Sequence, residues 1–180
     1  LVNAWGFGFK NAEKIDSTFI DSILSFIGFD KVKIEQNKLV KKDNRIMLDA
    51  SAIAKGFSVD VVAEYLESKK IENYLVEVGG EIRAKGMKNN GQKWKVGIDK
   101  PIDDVTASNR EFQDIIQIEN LAMATSGNYR QFYIKEGKKY AHTINPKTGY
   151  PVEHNLLSAS VLAEKCMTAD AYATAFMVMG

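Results

Sequence analysis

The sequence predicts an α+β fold, a largely antiparallel sheet with a few packed helices, and three observations predict it. Apolar residues recur at helical spacing in only three stretches: near the start, before the middle, and at the end of the chain. Elsewhere the apolar residues fall in short alternating runs closed by Gly, Pro, Asn or Lys-rich turn clusters. Those runs are mostly hairpin-connected, and no strand-helix-strand series repeats, so neighbouring strands are expected to pair antiparallel.

The first element is the stretch "DSTFIDSILSFIGFD". Phe19, Ile20, Ile23, Leu24 and Ile27 share one helical face behind Asp16 and Ser17, and Gly28 is the expected stop. Three short strands follow, Val32 to Ile34, Leu39 to Lys41 and Ile46 to Leu48, as a small meander around "QN" and "KDN" turns. The second helix is expected from about Ser51 to Ser68, with Ile53, Ala54, Phe57, Val61, Val62, Tyr65 and Leu66 on its apolar side. Next come "NYLVEVGGEIRAKG", a strand meeting a Gly-Gly break, then "KWKVGIDKP" and "FQDIIQIEN". "LAMATSGNYRQFYIKEGKKYAHTI" reads as two strands around "KEGKK", followed by "LLSASVLA" and a terminal helix starting near Thr168. With no repeat, low-complexity segment or long linker, residues 1–180 are expected to form one domain.

Composition narrows the function. Charges are balanced, 24 basic against 23 acidic residues for a formal net charge of +1, and well mixed, so there is no basic stripe for nucleic acid or anionic lipid. Any anion must be held locally. Cys166 is the one cysteine and lies among apolar residues, which fits a buried core thiol and excludes an intramolecular disulfide.

Four polar, glycine-bearing stretches and the terminal helix carry the candidate chemistry. In "LDASAIAKGFSVD", Asp49 and three small residues lead into a helix bearing Lys55 and Gly56. Its Ala-Lys-Gly order is not a phosphate-loop motif, yet amides at a helix start and an adjacent ammonium can hold a phosphate. Lys55 alone also fits a solvated helix lysine. Gly79 and Gly80, in "VGGEIRAKG", mark a bulge or a close backbone approach. Thr125 and Ser126, in "ATSGNYRQFY", could bond phosphate or ribose, and an ordinary turn explains them equally well. "HTINPKTGYP" combines His142 with Asn-Pro and Thr-Gly turn pairs. In "TADAYATAFMVMG", Asp170 and Thr174 are four apart, hence on one helix face, and two hard oxygen donors suit Mg2+. A capping Asp and a back-bonded Thr would give the same spacing.

In this order, and with about these separations, "LDASAIAKGFSVDVVAEYL", "YLVEVGGEIRAKG", "ATSGNYRQFY", "AHTINPKTGYPV" and "TADAYATAFMVMG" resemble the ApbE family of FAD:protein FMN transferases; "LVNAWGFG" at the start fits as well. The resemblance covers essentially the whole chain and implies an ApbE-like, T-fold-related architecture. Members are longer at both ends, so the chain is expected to match the central and later part of such a protein, lacking a segment that completes the flavin pocket. Asn145 stands where many members have Asp, which keeps the turn and removes a charge.

The reaction implied is cleavage of FAD, transfer of FMN to a Ser or Thr hydroxyl of an acceptor protein, and release of AMP. The resemblance implies Mg2+ held by the side chains of Asp170 and Thr174 and the main-chain oxygen of Ala52, with the Ala173 carbonyl a further contributor. It implies FAD contacts from Asp49, Lys55 and Ile144, with Gly79, Gly80, Thr125 and Ser126 lining the site. An ordinary imidazole titrates near about pH 6.5, so a neutral His142 could take the proton of the attacking hydroxyl. His154 is expected in a surface loop with no role. Two alternatives stay open: a Mg2+-dependent FAD pyrophosphatase giving FMN and AMP, and a flavin-binding module without turnover. By family analogy the protein is expected to be exported and lipid-anchored on the outer face of the cytoplasmic membrane.

Overall fold

A computed structural model of the chain describes residues 1–8, 15–102, 111–129 and 131–180, so Arg130 of the "ATSGNYRQFY" stretch lies outside the described residues. In order, the elements are α1 (Ser17–Leu24), a 3-10 turn (Phe29–Lys31), β1 (Val32–Glu35), β2 (Lys38–Lys41), α2 (Ala54–Ser68), β3 (Tyr74–Val78), β4 (Glu81–Lys85), β5 (Trp94–Asp99), β6 (Phe112–Ile118), β7 (Leu121–Gly127), β8 (Phe132–Lys135), β9 (Lys138–Ala141), β10 (Ser158–Ala163) and α3 (Cys166–Met179). Every strand pair is antiparallel, as the hairpin spacing predicts. The chain divides into two compact units, Leu1–Asp49 with Phe132–Glu153, and Ala50–Gln131 with His154–Gly180.

In the first unit, Asp16 caps α1 by accepting from the Phe19 N–H at 2.8 Å, and the helix buries Ile20. The helix ends at Leu24 and does not run on to Gly28. Phe26 and Ile27 donate three residues back, to Ile23 and Leu24, so the last turn tightens into 3-10 geometry before the chain leaves. Strands β1 and β2 form a hairpin across Gln36 and Asn37, both at positive φ, a two-residue primed turn. The expected third strand, Ile46 to Leu48, does not form. The Ile46 carbonyl accepts from Lys41 Nζ at 2.8 Å, and only Ile46 of the three is buried, so no ladder partner is offered. Strands β8 and β9 form the other hairpin, whose Tyr133 and Tyr140 stack at 5.2 Å, with Trp5 and Phe7 stacked on either side.

The second unit is a sheet of order β10-β7-β4-β3 with α2 and α3 on one face. Alternation sorts the side chains: Tyr74, Val76 and Ala122 pack with Val59, Ala63 and Cys166 on the helix side, while Leu75, Ile82, Ala84 and Met123 pack with Val96 and Ile118 of the β5–β6 hairpin on the other. Helix α2 starts at Ala54, three residues later than expected, and turns in a different face. Gly56, Val59, Asp60 and Ala63 are buried, whereas Phe57 and Tyr65 are 56% and 61% exposed. The close neighbour is α3, and only small side chains allow that approach: a Cβ on Gly56 would lie 2.5 Å from the Cys166 carbonyl oxygen. Asp60, 4% exposed, then takes over the start of α3, accepting from the Cys166 and Met167 N–H groups at 3.0 and 2.9 Å and from Arg83 Nη1 at 2.8 Å. Strand β7 is separate from the β8–β9 hairpin, so Thr125, Ser126 and Gly127 belong to a strand, where a turn was one expectation.

Candidate active site

On the helix face of the second unit, three charged side chains meet. Asp170 in α3 is 5% exposed, and its Oδ2 accepts from the Gly56 N–H of α2 at 2.9 Å. It therefore ties two helices together and does not cap its own. Burial pushes its carboxyl above the usual range, offset in part by the Gly56 amide and by Lys55. The bond has a second effect. In an extended helical ladder the Gly56 N–H would return to the Ala52 carbonyl, four residues earlier; among the described backbone bonds it does not, and that carbonyl, just ahead of α2, stays out of the ladder. Thr174, one turn beyond Asp170 in α3, is half-buried.

Lys55, half exposed, reaches from the first turn of α2 to the first residue of β4, where its Nζ lies 2.6 Å from Glu81 Oε1. Glu81 is 2% exposed, and its Oε2 is buried without a hydrogen-bond partner. Burial raises its carboxyl above the usual range; Lys55 pulls it down, Asp170 pushes it up again, and the residue's own backbone amide offsets a little of the rise. Sequence reasoning passed over Glu81. The available signal was an acidic residue directly after Gly-Gly, at the point where a strand begins.

Gly79 and Gly80 form the two-residue turn between β3 and β4, with φ of 61° and 102°, where a side chain would be strained. A Cβ on Gly79 would sit 3.5 Å from Lys55 Cδ and 3.9 Å from Glu81 Oε2, so this turn runs directly past the ion pair. The same glycines line a cavity of about 640 Å3 on the hairpin side of the sheet, together with Glu77, Lys95, Asp99 and Thr125. Thr125 Oγ1 bonds Ser160 Oγ across the β7–β10 ladder at 2.7 Å. Ser126, the next residue, points to the helix face by alternation.

Asp49, His142 and Ile144 belong to the first unit. Asp49 lines a mostly apolar cavity of about 510 Å3 with Ile23, Phe26, Ile46 and Leu48. His142 follows β9 directly, half-buried, its ring edge-on to Phe7 with 6.4 Å between centroids. Ile144 forms an isolated antiparallel bridge with Pro151, closing the "HTINPKTGYP" bend. Asn145 organises that bend: its Oδ1 accepts from the Lys147 N–H at 2.9 Å and its carbonyl from the Gly149 N–H at 2.8 Å. At Gly149, φ is 80°, the carbonyl accepts from Trp5 Nε1, and a Cβ would lie 2.5 Å from Ile20 Cγ2, so the position requires glycine. His154, in the second unit, is half-buried, its Nε2 2.7 Å from the Met177 carbonyl.

Lys55, Gly79, Gly80 and Glu81 are thus clustered, Asp170 holds the Gly56 amide, and Thr125 lies on the other face of the sheet. No group of three or more His, Cys, Asp or Glu suited to a metal occurs among the described residues. Asp170 is a buried carboxylate, and Thr174 is half-buried one turn along the same helix.

A model of the ApbE family matches residues 1–180. The chain is 44% identical over 182 residues to a FAD:protein FMN transferase of Vibrio cholerae, spanning 100% of this chain and 53% of that protein. It is 42% identical over 186 residues to the Haemophilus influenzae protein of the same name, with the same shares. Among solved structures, flavin transferase ApbE from Vibrio cholerae matches with a TM-score of 0.84 at 42% identity, over 99% of this chain and 56% of that one. An ApbE protein from Thermotoga maritima matches with a TM-score of 0.86 at 29% identity, over 99% and 57%. The chain spans about half the length of the curated relatives it matches.

Proposed function

This chain belongs to the ApbE family, and on that premise we propose that it serves a Mg2+-dependent transfer of FMN from FAD to a Ser or Thr hydroxyl of an acceptor protein, with release of AMP. The relatives' names, FAD:protein FMN transferase, support flavin transfer as the reaction. The observation that carries the finer reading is Asp170: a buried carboxylate fastened by one backbone amide, that of Gly56, and one helical turn from Thr174. These are hard oxygen donors, few in number, as Mg2+ prefers when water and phosphate complete its shell. When bound, the cation neutralises charge on pyrophosphate oxygens.

This chain's own groups have separate tasks. Lys55 offers its ammonium to a phosphate, and the exposed Gly79–Gly80 backbone allows a close approach. Thr125 lines the cavity that Gly79 and Gly80 border, and Ser126 stands on the other face of the strand. Asp49, which lines a mostly apolar cavity, suits a planar heterocycle with an N–H to donate, and Ile144 supplies an apolar contact. His142 takes the proton of the attacking hydroxyl as its oxygen bonds to the FMN phosphorus and the P–O bond to AMP breaks. By the same family reading the protein is exported and anchored at the outer face of the cytoplasmic membrane, which cell fractionation checks.

The test is incubation of the full chain with FAD, Mg2+ and a candidate acceptor, followed by mass spectrometry. A mass gain of one FMN on the acceptor supports transfer; free FMN and AMP without it point to pyrophosphatase action; unchanged FAD with wild-type protein sinks the enzymatic reading. In the same assay Asp170→Ala is expected to abolish Mg2+-dependent turnover, and His142→Ala to lower transfer by roughly 10²- to 10⁴-fold while FAD affinity is kept.

A further inference from the structure

Asp60 and Glu81 are buried carboxylates on the same side of the same sheet, and they are treated differently. Both oxygens of Asp60 are used, by two backbone amides and an arginine, which is how a structural carboxylate is satisfied. Glu81 has one oxygen on Lys55 and the other buried with no partner. Leaving a buried acceptor unmade is costly, and the one salt bridge, to a half-exposed lysine, offsets little of it. Folding alone would favour an apolar residue here.

The pair's location supplies a reason for keeping it. Glu81 anchors Lys55 beside the Gly79–Gly80 turn, where no side chains intervene and the backbone is exposed. An unanchored lysine spreads over many rotamers; one N–H held by Glu81 leaves two donors of the ammonium for an incoming anion.

We propose that Glu81 is a positioning residue: it fixes the Lys55 ammonium beside the Gly79–Gly80 turn to receive a phosphate of the dinucleotide, and its open Oε2 accepts a hydrogen bond from a donor that arrives with that ligand. The proposal rests on the FAD reading above. It accounts for why a carboxylate, and not an apolar residue, opens β4.

Two measurements on the full chain separate it from a structural role. In the first, FAD affinity is read by flavin fluorescence with a chelator present, for wild type, Lys55→Met, Glu81→Gln and the double variant. Glu81→Gln is expected to weaken binding by about tenfold. The double variant is expected to bind no worse than Lys55→Met, because the two residues act as one unit. Its melting temperature is expected to equal or exceed that of wild type, since a buried charge has been removed, and Glu81→Asp is expected to restore part of the affinity.

In the second, the acylation rate of the Lys55 amine is followed by peptide mass spectrometry without any ligand, and Glu81→Gln is expected to raise it. Unchanged FAD affinity in Glu81→Gln where Lys55→Met is impaired overturns the proposal, as does a lowered melting temperature with unaltered Lys55 reactivity. Failure of the wild type to bind FAD would instead remove the dinucleotide reading, while the acylation rate still decides whether Glu81 holds Lys55.

Discussion

Cys166 begins α3 fully buried, and that burial, reinforced by Asp60, Glu81 and Asp170, pushes its thiol from an ordinary value of 9.0 up to about 12. Two outcomes follow from the shift. Iodoacetamide at pH 8 is expected to leave the native thiol unlabelled and to label it after unfolding. The folded state also keeps this proton where the unfolded chain loses it, so the thiol's contribution to stability is complete below pH 9.0 and is lost as pH rises toward about 12. Denaturant midpoints recorded across that window check the sign. The sequence already marked Cys166 as a core thiol from its apolar neighbours, but three carboxylates acting on it come from residues 60, 81 and 170, which no local window contains.

At the scale of elements, the contact between α2 and α3 turns on Gly56. Replacing a helical glycine with alanine normally stabilises by about 0.5–1 kcal/mol. Here the added Cβ would meet the Cys166 carbonyl at 2.5 Å and Met167 Cα at 2.7 Å, both backbone atoms with little room to yield. Overpacking of that kind costs about 1–3 kcal/mol, and the amide bond from Gly56 to Asp170 would be disturbed as well. The packing term wins: Gly56→Ala is expected to lower the denaturant midpoint with an unchanged m-value. The same contact explains why periodicity found helix α2 and misjudged its inner face. The rule that large apolar residues turn inward fails when two helices approach closely, because the buried face of α2 is then made of the small residues Gly56, Val59 and Ala63 and the capping Asp60.

For the whole molecule, burial is unevenly distributed among the described residues. Strands β4 and β7 are central in a four-stranded sheet covered on both faces, whereas β1–β2 and β8–β9 are two-stranded. Amide hydrogen exchange is expected to be slowest in β4 and β7 and fastest in β1 and β2, whose side chains are almost all exposed. Equal protection in all of them would contradict this order.

By itself the sequence determined the fold class, the antiparallel pairing, the capped start of α1, the Asn145 turn and the family, because each is written in local spacing or in ordered short motifs; the Gly79–Gly80 hairpin turn, expected as a bulge or close approach, was not legible. Only the tertiary structure decided which charges meet. Lys55 and Glu81 are 26 positions apart, Gly56 and Asp170 are 114 apart, and the partnerless oxygen of Glu81 exists only once the sheet and helices have closed around it. Local patterns report the chain's own periodicity, whereas burial and ion pairing depend on the neighbours that folding brings.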